Sequence, residues 1–149
     1  RNDIITCKAA VSGEQVAFLA ETATGLTPHT DPNWMLLLVD ADHNHDTGWF
    51  GYDLLVNRKV VDEKTTTVER WDAAAGAWTD VATVPLRYAG NSLELALPRD
   101  LFGPAAAELA FDFHWCDNPA ELKDPISLCT DGDSAPNRRF NYRFLWKAE

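Results

Sequence analysis

The sequence predicts an all-β protein, an antiparallel β-sandwich of jelly-roll-like form with about ten short strands. Three observations carry that expectation. Apolar and polar residues alternate over short runs, turn residues recur between the runs, and almost no segment shows a helical period. At most one helical turn is expected, near residues 98–103, with Pro98 close to its start and Gly103 close to its end.

Ile4–Ala9 and Gln15–Ala20 read as two strands joined across Ser12-Gly13. Thr24–Asn33, with Gly25, Pro28 and Pro32, reads as a loop. The run Trp34–Val39 is apolar throughout and short enough for one buried strand, placed at Met35–Val39. After an acidic loop comes a strand over Tyr52–Asn57, and Thr65–Trp71 is β-branched at its start. Gly76 and shortness make the alanine run Ala73–Ala77 a turn rather than a helix, leading into a strand over Trp78–Ala82. Pro85–Tyr88 and Ser92–Leu97 form a hairpin, because Gly90 suits the positive φ that a two-residue loop demands. Leu93, Leu95 and Leu97 mark its buried face. Leu109–Cys116 and Phe140–Lys147 supply the last strands. Between them Asp117–Asn137 is irregular, and loops beyond about 12–15 residues tend to be functional or specially ordered.

The 149 residues suit one domain, with 46% hydrophobic and 24% charged residues and no visible repeat or linker. No apolar run approaches membrane-spanning length. Net charge is −10, and the only basic cluster is Arg138-Arg139 with Arg143. A duplex-binding surface needs clustered cations, so nucleic acid and anionic membranes are not expected partners, whereas a neutral polymer is indifferent to the charge. The chain opens at Arg1 with no Met, basic stretch or apolar leader. That predicts a module of a larger secreted protein or a removed signal peptide, hence an extracellular or periplasmic location. Cys7, Cys116 and Cys129 have no metal-ligand spacing. A Cys116–Cys129 bridge would close a loop of about 14 residues and stabilise by roughly 3 kcal/mol, the alternative being three reduced thiols.

The loop Asp40–Asp53 carries the chemistry. Asp40, Asp42, Asn44 and Asp46 stand at alternate positions, and such crowded oxygens repel unless a hard cation sits among them. The start matches an EF-hand loop, but Gly51 stands where the bidentate Glu would be, and strands rather than helices flank it. The competing reading is a solvated acidic turn.

Leu38-Val39-Asp40-Ala41-Asp42, Thr47-Gly48-Trp49, Gly51-Tyr52-Asp53 and Val56-Asn57 together resemble the signature of the family 9 carbohydrate-binding modules. Those belong to the wider DOMON-like sandwich domains, which bind sugars or haem. The stretch Asp124–Leu128 with Gly132–Tyr142 resembles the C-terminal region of modules attached to bacterial secreted glycosidase-like proteins. The resemblance implies a structural calcium ion (Ca2+) and an aromatic sugar site. Asp40, Asp42 and Asn44 would be calcium ligands, with Asp46 or Asp53 completing the shell. His43 and His45 depart from the commonest loop and would suit a transition metal, or simply face solvent.

Six Trp is a high count for one domain. Flat rings pack against the C–H faces of sugars while polar side chains take the hydroxyls. The expected ligand-binding residues are Trp49, Tyr52, Trp71, Trp115, Asp117, Asn118, Arg138 and Arg139, with core roles open for Trp71 and Trp115 and ion pairing for the arginines. Trp34, Trp78 and Trp146 are expected in the core. Asp117, Glu121, Asp124, Asp131 and Asp133 supply carboxylates of the kind glycosidases pair, but no nucleophile elbow, Walker loop or zinc-protease motif is present, so no catalysis is expected. Haem binding would require Met35 facing His29 or His114. A third alternative is a module that docks domains of the parent protein.

Overall fold

A computed structural model gives the fold and describes residues 1–104, 106–137 and 140–149. It is all-β, with ten strands among the described residues: β1 (Ile4–Ser12), β2 (Gln15–Thr22), β3 (Leu36–Asp40), β4 (Leu54–Val60), β5 (Thr65–Asp72), β6 (Ala77–Ala89), β7 (Ser92–Pro98), β8 (Glu108–Asp117), β9 (Asp133–Ala135) and β10 (Tyr142–Lys147). A 3-10 turn occupies Arg99–Phe102, where one helical turn was expected. A four-residue helical turn, α1 (Ser127–Thr130), adds regular structure inside the long loop.

All pairings are antiparallel, in the order β1-β2-β7-β6-β5-β4-β3-β8-β10, with β9 added on β8. β6 belongs to both layers. Its first part pairs β5 as far as Thr65↔Pro85, and its last part pairs β7 from Leu86↔Leu95. The sequence suggested two strands here, broken before Pro85. The structure has one, because Pro85 lacks an N–H and falls where β6 changes partner, so no ladder bond is lost.

The alternation Leu93, Leu95, Leu97 is buried as expected, facing Phe18, Leu37, Val39, Leu54, Val56, Phe111, Phe113 and Trp115. Phe18 lies 5.5 and 5.3 Å, centroid to centroid, from Phe111 and Phe113. The second layer has a further apolar face. All five residues of β3 are buried, and Leu36, Leu38, Leu55 and Cys116 point away from the main core into a second cluster. Two loops cover that face, contributing Trp49 and Tyr52 from one side and Leu128 from the other. Trp78, expected in the core, instead packs half-buried against this outer cluster. Trp34 is in the core, and half-buried Trp146 lies under the Arg99 guanidinium at 4.4 Å. The expected Cys116–Cys129 bridge is absent: all three cysteines are free thiols.

Candidate functional site

β3 ends at Asp40 and β4 begins at Leu54, with Val39 and Leu54 paired across the ladder. The Asp53 N–H donates to Val39 O at 2.8 Å, so Asp40 and Asp53 meet at the mouth of the loop. The loop then folds onto its own carboxylates. Asp53 Oδ2 accepts from the N–H of Ala41 at 2.8 Å and of Asp42 at 3.4 Å. Asn44 N–H reaches Asp40 Oδ1 at 3.0 Å and Asp42 Oδ1 at 2.9 Å, and the Thr47 hydroxyl donates to Asp42 Oδ2 at 3.0 Å.

The result is a group of three carboxylates, Asp40, Asp42 and Asp53, each with an oxygen within 4.8 Å of the others. Asp40 is 4% exposed, and among the described residues none of the three pairs with a Lys or Arg. Burial first, then repulsion from Asp53 and Asp42, pushes the Asp40 carboxyl up to about 6 against the opposing Asn44 hydrogen bond. Asp53 is raised too, chiefly by burial.

Of the other two expected ligands, Asp46 is not among the converging carboxylates. Asn44 Oδ1 turns back to accept from its own loop, at Asp46 N 3.1 Å away, and the Asp46 side chain is exposed beside His45 at 3.4 Å. The histidines also stay outside: His43 Nε2 lies 3.8 Å from Asp112, and His45 faces solvent.

Trp49 and Tyr52 exchange backbone hydrogen bonds of 2.7 and 3.0 Å, closing a two-residue turn whose tip is Phe50-Gly51. Such turns require positive φ at both tip residues and favour Asn or Gly. Gly51, at φ +98, also needs its missing Cβ, which would lie 3.1 Å from His45 Cα. Phe50 is a bulky residue held at φ +52, and it is 63% exposed. Strain of this kind persists only where the surroundings over-determine it, and it concentrates at binding sites. Beside Phe50 runs a groove of about 370 Å³ lined by Asp40, Phe50, Tyr52, Pro125, Phe140 and Asn141. Phe140 is 60% exposed, and the Tyr52 hydroxyl donates to Asn141 Oδ1 at 2.6 Å.

Several expected ligand-binding residues are placed differently. Tyr52 lines the groove and also packs on the outer sheet face, whereas Trp49 covers that face, 6.1 Å from Trp78, and Trp71 lies 5.3 Å from Trp78. Trp71 is half-buried. Trp115 is fully buried in the main core and has no face to offer a ligand. Asp117 is buried as well, accepting from Arg1 Nε at 3.0 Å and Nη2 at 2.9 Å, from Met35 N at 3.0 Å and from Asn2 N at 3.1 Å. Burial alone would raise its pKa, but the hydrogen bonds from Arg1, Met35 and Asn2 outweigh it and hold it below the usual value. Asn118 is half-buried, its N–H on Asn33 O at 2.8 Å. Arg138 and Arg139 lie outside the described residues.

Two acids of the long loop are engaged by backbone N–H groups. Asp124 accepts from Ile126 N at 2.9 Å and Ser127 N at 3.0 Å, and Asp133 accepts from Ile4 N at 2.6 Å. His114 is neutral, its pKa lowered to about 4 by burial. Its Nδ1 donates to Phe140 O at 2.6 Å, and its Nε2 accepts from the Ser134 hydroxyl at 2.7 Å. Met35 packs in the main core while His114 stands on the opposite face of β8, so the two do not face each other across a haem site. His29 instead contacts the Tyr88 hydroxyl at 3.0 Å.

Phe50 and Phe140 are the residues that sequence reasoning missed. The available signal was a Phe in the tip position of a tight turn, where Asn or Gly is usual. Compared with protein-family models, curated proteins and solved structures, the chain finds no match.

Proposed function

We propose that this is a non-catalytic, secreted module that binds carbohydrate in the Phe50–Phe140 groove and holds calcium on Asp40, Asp42 and Asp53. The observation that carries this reading is the juxtaposition of a carboxylate group, without a Lys or Arg ion pair among the described residues, with exposed aromatic rings: Asp40 belongs to the group and also lines the groove. Calcium takes about 6–8 oxygens at about 2.3–2.6 Å, and three carboxylates with solvent can supply that shell. Phe50 and Phe140 offer rings for the C–H faces of a sugar, and Asn141 offers a polar partner for its hydroxyls. A neutral glycan is not repelled by a chain of net charge −10. The resemblance of the Leu38–Asn57 stretch to family 9 carbohydrate-binding modules points the same way.

The test is a glycan array and affinity-gel series with the wild type, Phe50→Ala and Phe140→Ala. Retention of the wild type on at least one glycan, and its loss in both variants with unchanged melting, is the expected result. Exposed Ile126, 63% accessible, extends the apolar surface of the long loop, which favours a second reading, docking against another domain of a parent protein. Failure of the wild type to bind any glycan would transfer support to that reading.

A further inference from the structure

Cys116 on β8 is the Cα partner of Ser134 on β9, so their side chains stand on one face with Cβ atoms about 4.5–5.5 Å apart. Cys129, exposed in α1, places its Sγ 3.5 Å from the same Ser134 hydroxyl. That hydroxyl is fixed from behind by His114, itself anchored on Phe140 O. Leu128, next to Cys129, is buried in the same outer cluster as Cys116. Both cysteines therefore neighbour one side chain, Ser134, and a bridge would bring their sulfurs together past its hydroxyl, with the two Cα atoms about 4.4–6.8 Å apart.

We propose that Cys116 and Cys129 form a reversible disulfide that clamps the segment between them onto β8, with a low-molecular-weight disulfide such as oxidised glutathione as the oxidant. The thiolate of exposed Cys129 attacks one sulfur of the oxidant, expelling one glutathione thiol and leaving a mixed disulfide. Cys116 then loses its proton and attacks the Cys129 sulfur, expelling the second glutathione. The protein loses two hydrogens and two electrons, and the oxidant is reduced to two thiols. Burial pushes the Cys116 thiol far above neutrality, which makes it the resolving rather than the attacking group and makes the second step slow. Cys7 takes no part: it packs against the main core, its thiol pushed up to about 12 chiefly by burial. The clamped segment includes Pro125, one wall of the groove, so the pair would set how firmly that wall is held. The proposal stands on the thiol geometry and not on what the groove binds.

The test starts from protein fully reduced with dithiothreitol, then exposed to oxidised glutathione at neutral pH and mapped by alkylation and mass spectrometry. The wild type should lose two alkylatable thiols, retain no glutathione, remain monomeric and yield one cross-linked peptide joining Cys116 to Cys129. Its melting temperature should rise by about 6–12 °C, as expected for closing a loop of about 14 residues in a chain this size. Cys116→Ala should instead retain one glutathione on Cys129 with no rise, and Cys129→Ser should gain no intramolecular cross-link. A wild type that keeps glutathione on Cys129 while Cys116 stays alkylatable on unfolding, or that bridges two chains, overturns the proposal.

Discussion

Asp53→Asn should change stability in opposite directions with and without calcium. The variant keeps an amide oxygen to accept from Ala41 N–H, now 2.8 Å from Asp53 Oδ2, and removes one charge from the group. At the outer limit of 4.8 Å, two unit charges repel by about 3.5 kcal/mol at an effective dielectric of 20 and by about 0.9 kcal/mol in bulk water. Asp40 is buried and Asp53 half-buried, so the relief lies between those limits. Loss of the charge-assisted part of the hydrogen bonds returns some of it, leaving a net gain of about 1–2 kcal/mol in chelator. That corresponds to a rise of about 2–8 °C in melting temperature. In calcium the order reverses. A site with Kd about 10⁻⁴ M in a hundredfold excess of calcium stabilises the wild type by about 2.7 kcal/mol, and the variant, short of one anionic ligand, should gain far less. Differential scanning calorimetry of both proteins in EDTA and in calcium gives the four melting temperatures. Coincident wild-type curves in the two buffers, together with a variant that melts lower in both, would refute the reasoning and leave the loop a solvated turn.

Asp117→Ala should destabilise by about 3–5 kcal/mol in urea unfolding, because it removes the ion-pair partner of the Arg1 guanidinium and leaves two buried N–H groups without an acceptor. Because the folded pKa of Asp117 lies below its ordinary 3.8, its contribution is complete above about pH 4 and is lost as pH falls through the folded value. Wild-type stability should therefore drop more steeply than that of Asp117→Asn in strong acid, as read by melting curves against pH. Trp115→Ala should cost about 3–5 kcal/mol as a core truncation. At a temperature where it is still folded, its glycan retention should equal the wild type's, unlike that of Phe50→Ala.

Period-2 patterns were legible where one face is buried, as at Leu93, Leu95 and Leu97, and the apolar run of β3 announced a strand buried on both sides. The acidic loop was legible as a place where charge must be dealt with. Which carboxylates converge was not, because that depends on the loop folding back so that Asp53 accepts from the N–H groups of Ala41 and Asp42, a closure that spacing does not encode. Asp117 read as a strand-end polar group available to a ligand. Only the tertiary arrival of Arg1, 116 positions away in sequence, shows it to be structural. β9 was hidden by its three-residue length and by the mixed composition of Asp133-Ser134-Ala135. Residue type alone favours Trp as a platform for a sugar. Exposure depends instead on the sign of φ at a turn tip, and that selects Phe50.

The site and the second apolar cluster have one origin. An antiparallel sheet usually leaves one face to water, but Leu36, Leu38, Leu55 and Cys116 make the outer face of this one apolar. Something must cover it, and the connections on either side supply Trp49, Tyr52 and Leu128. Drawing the β3–β4 loop down over the sheet brings Asp40 and Asp53 to its mouth and folds Asp42 between them, so the carboxylate crowding follows from the covering. The same folding leaves the turn tip with nowhere to go but outward, which exposes Phe50 across from Phe140. A cation that relieves the crowding would therefore also hold Phe50 in place, and binding at the groove should weaken whenever the carboxylate group is left uncompensated.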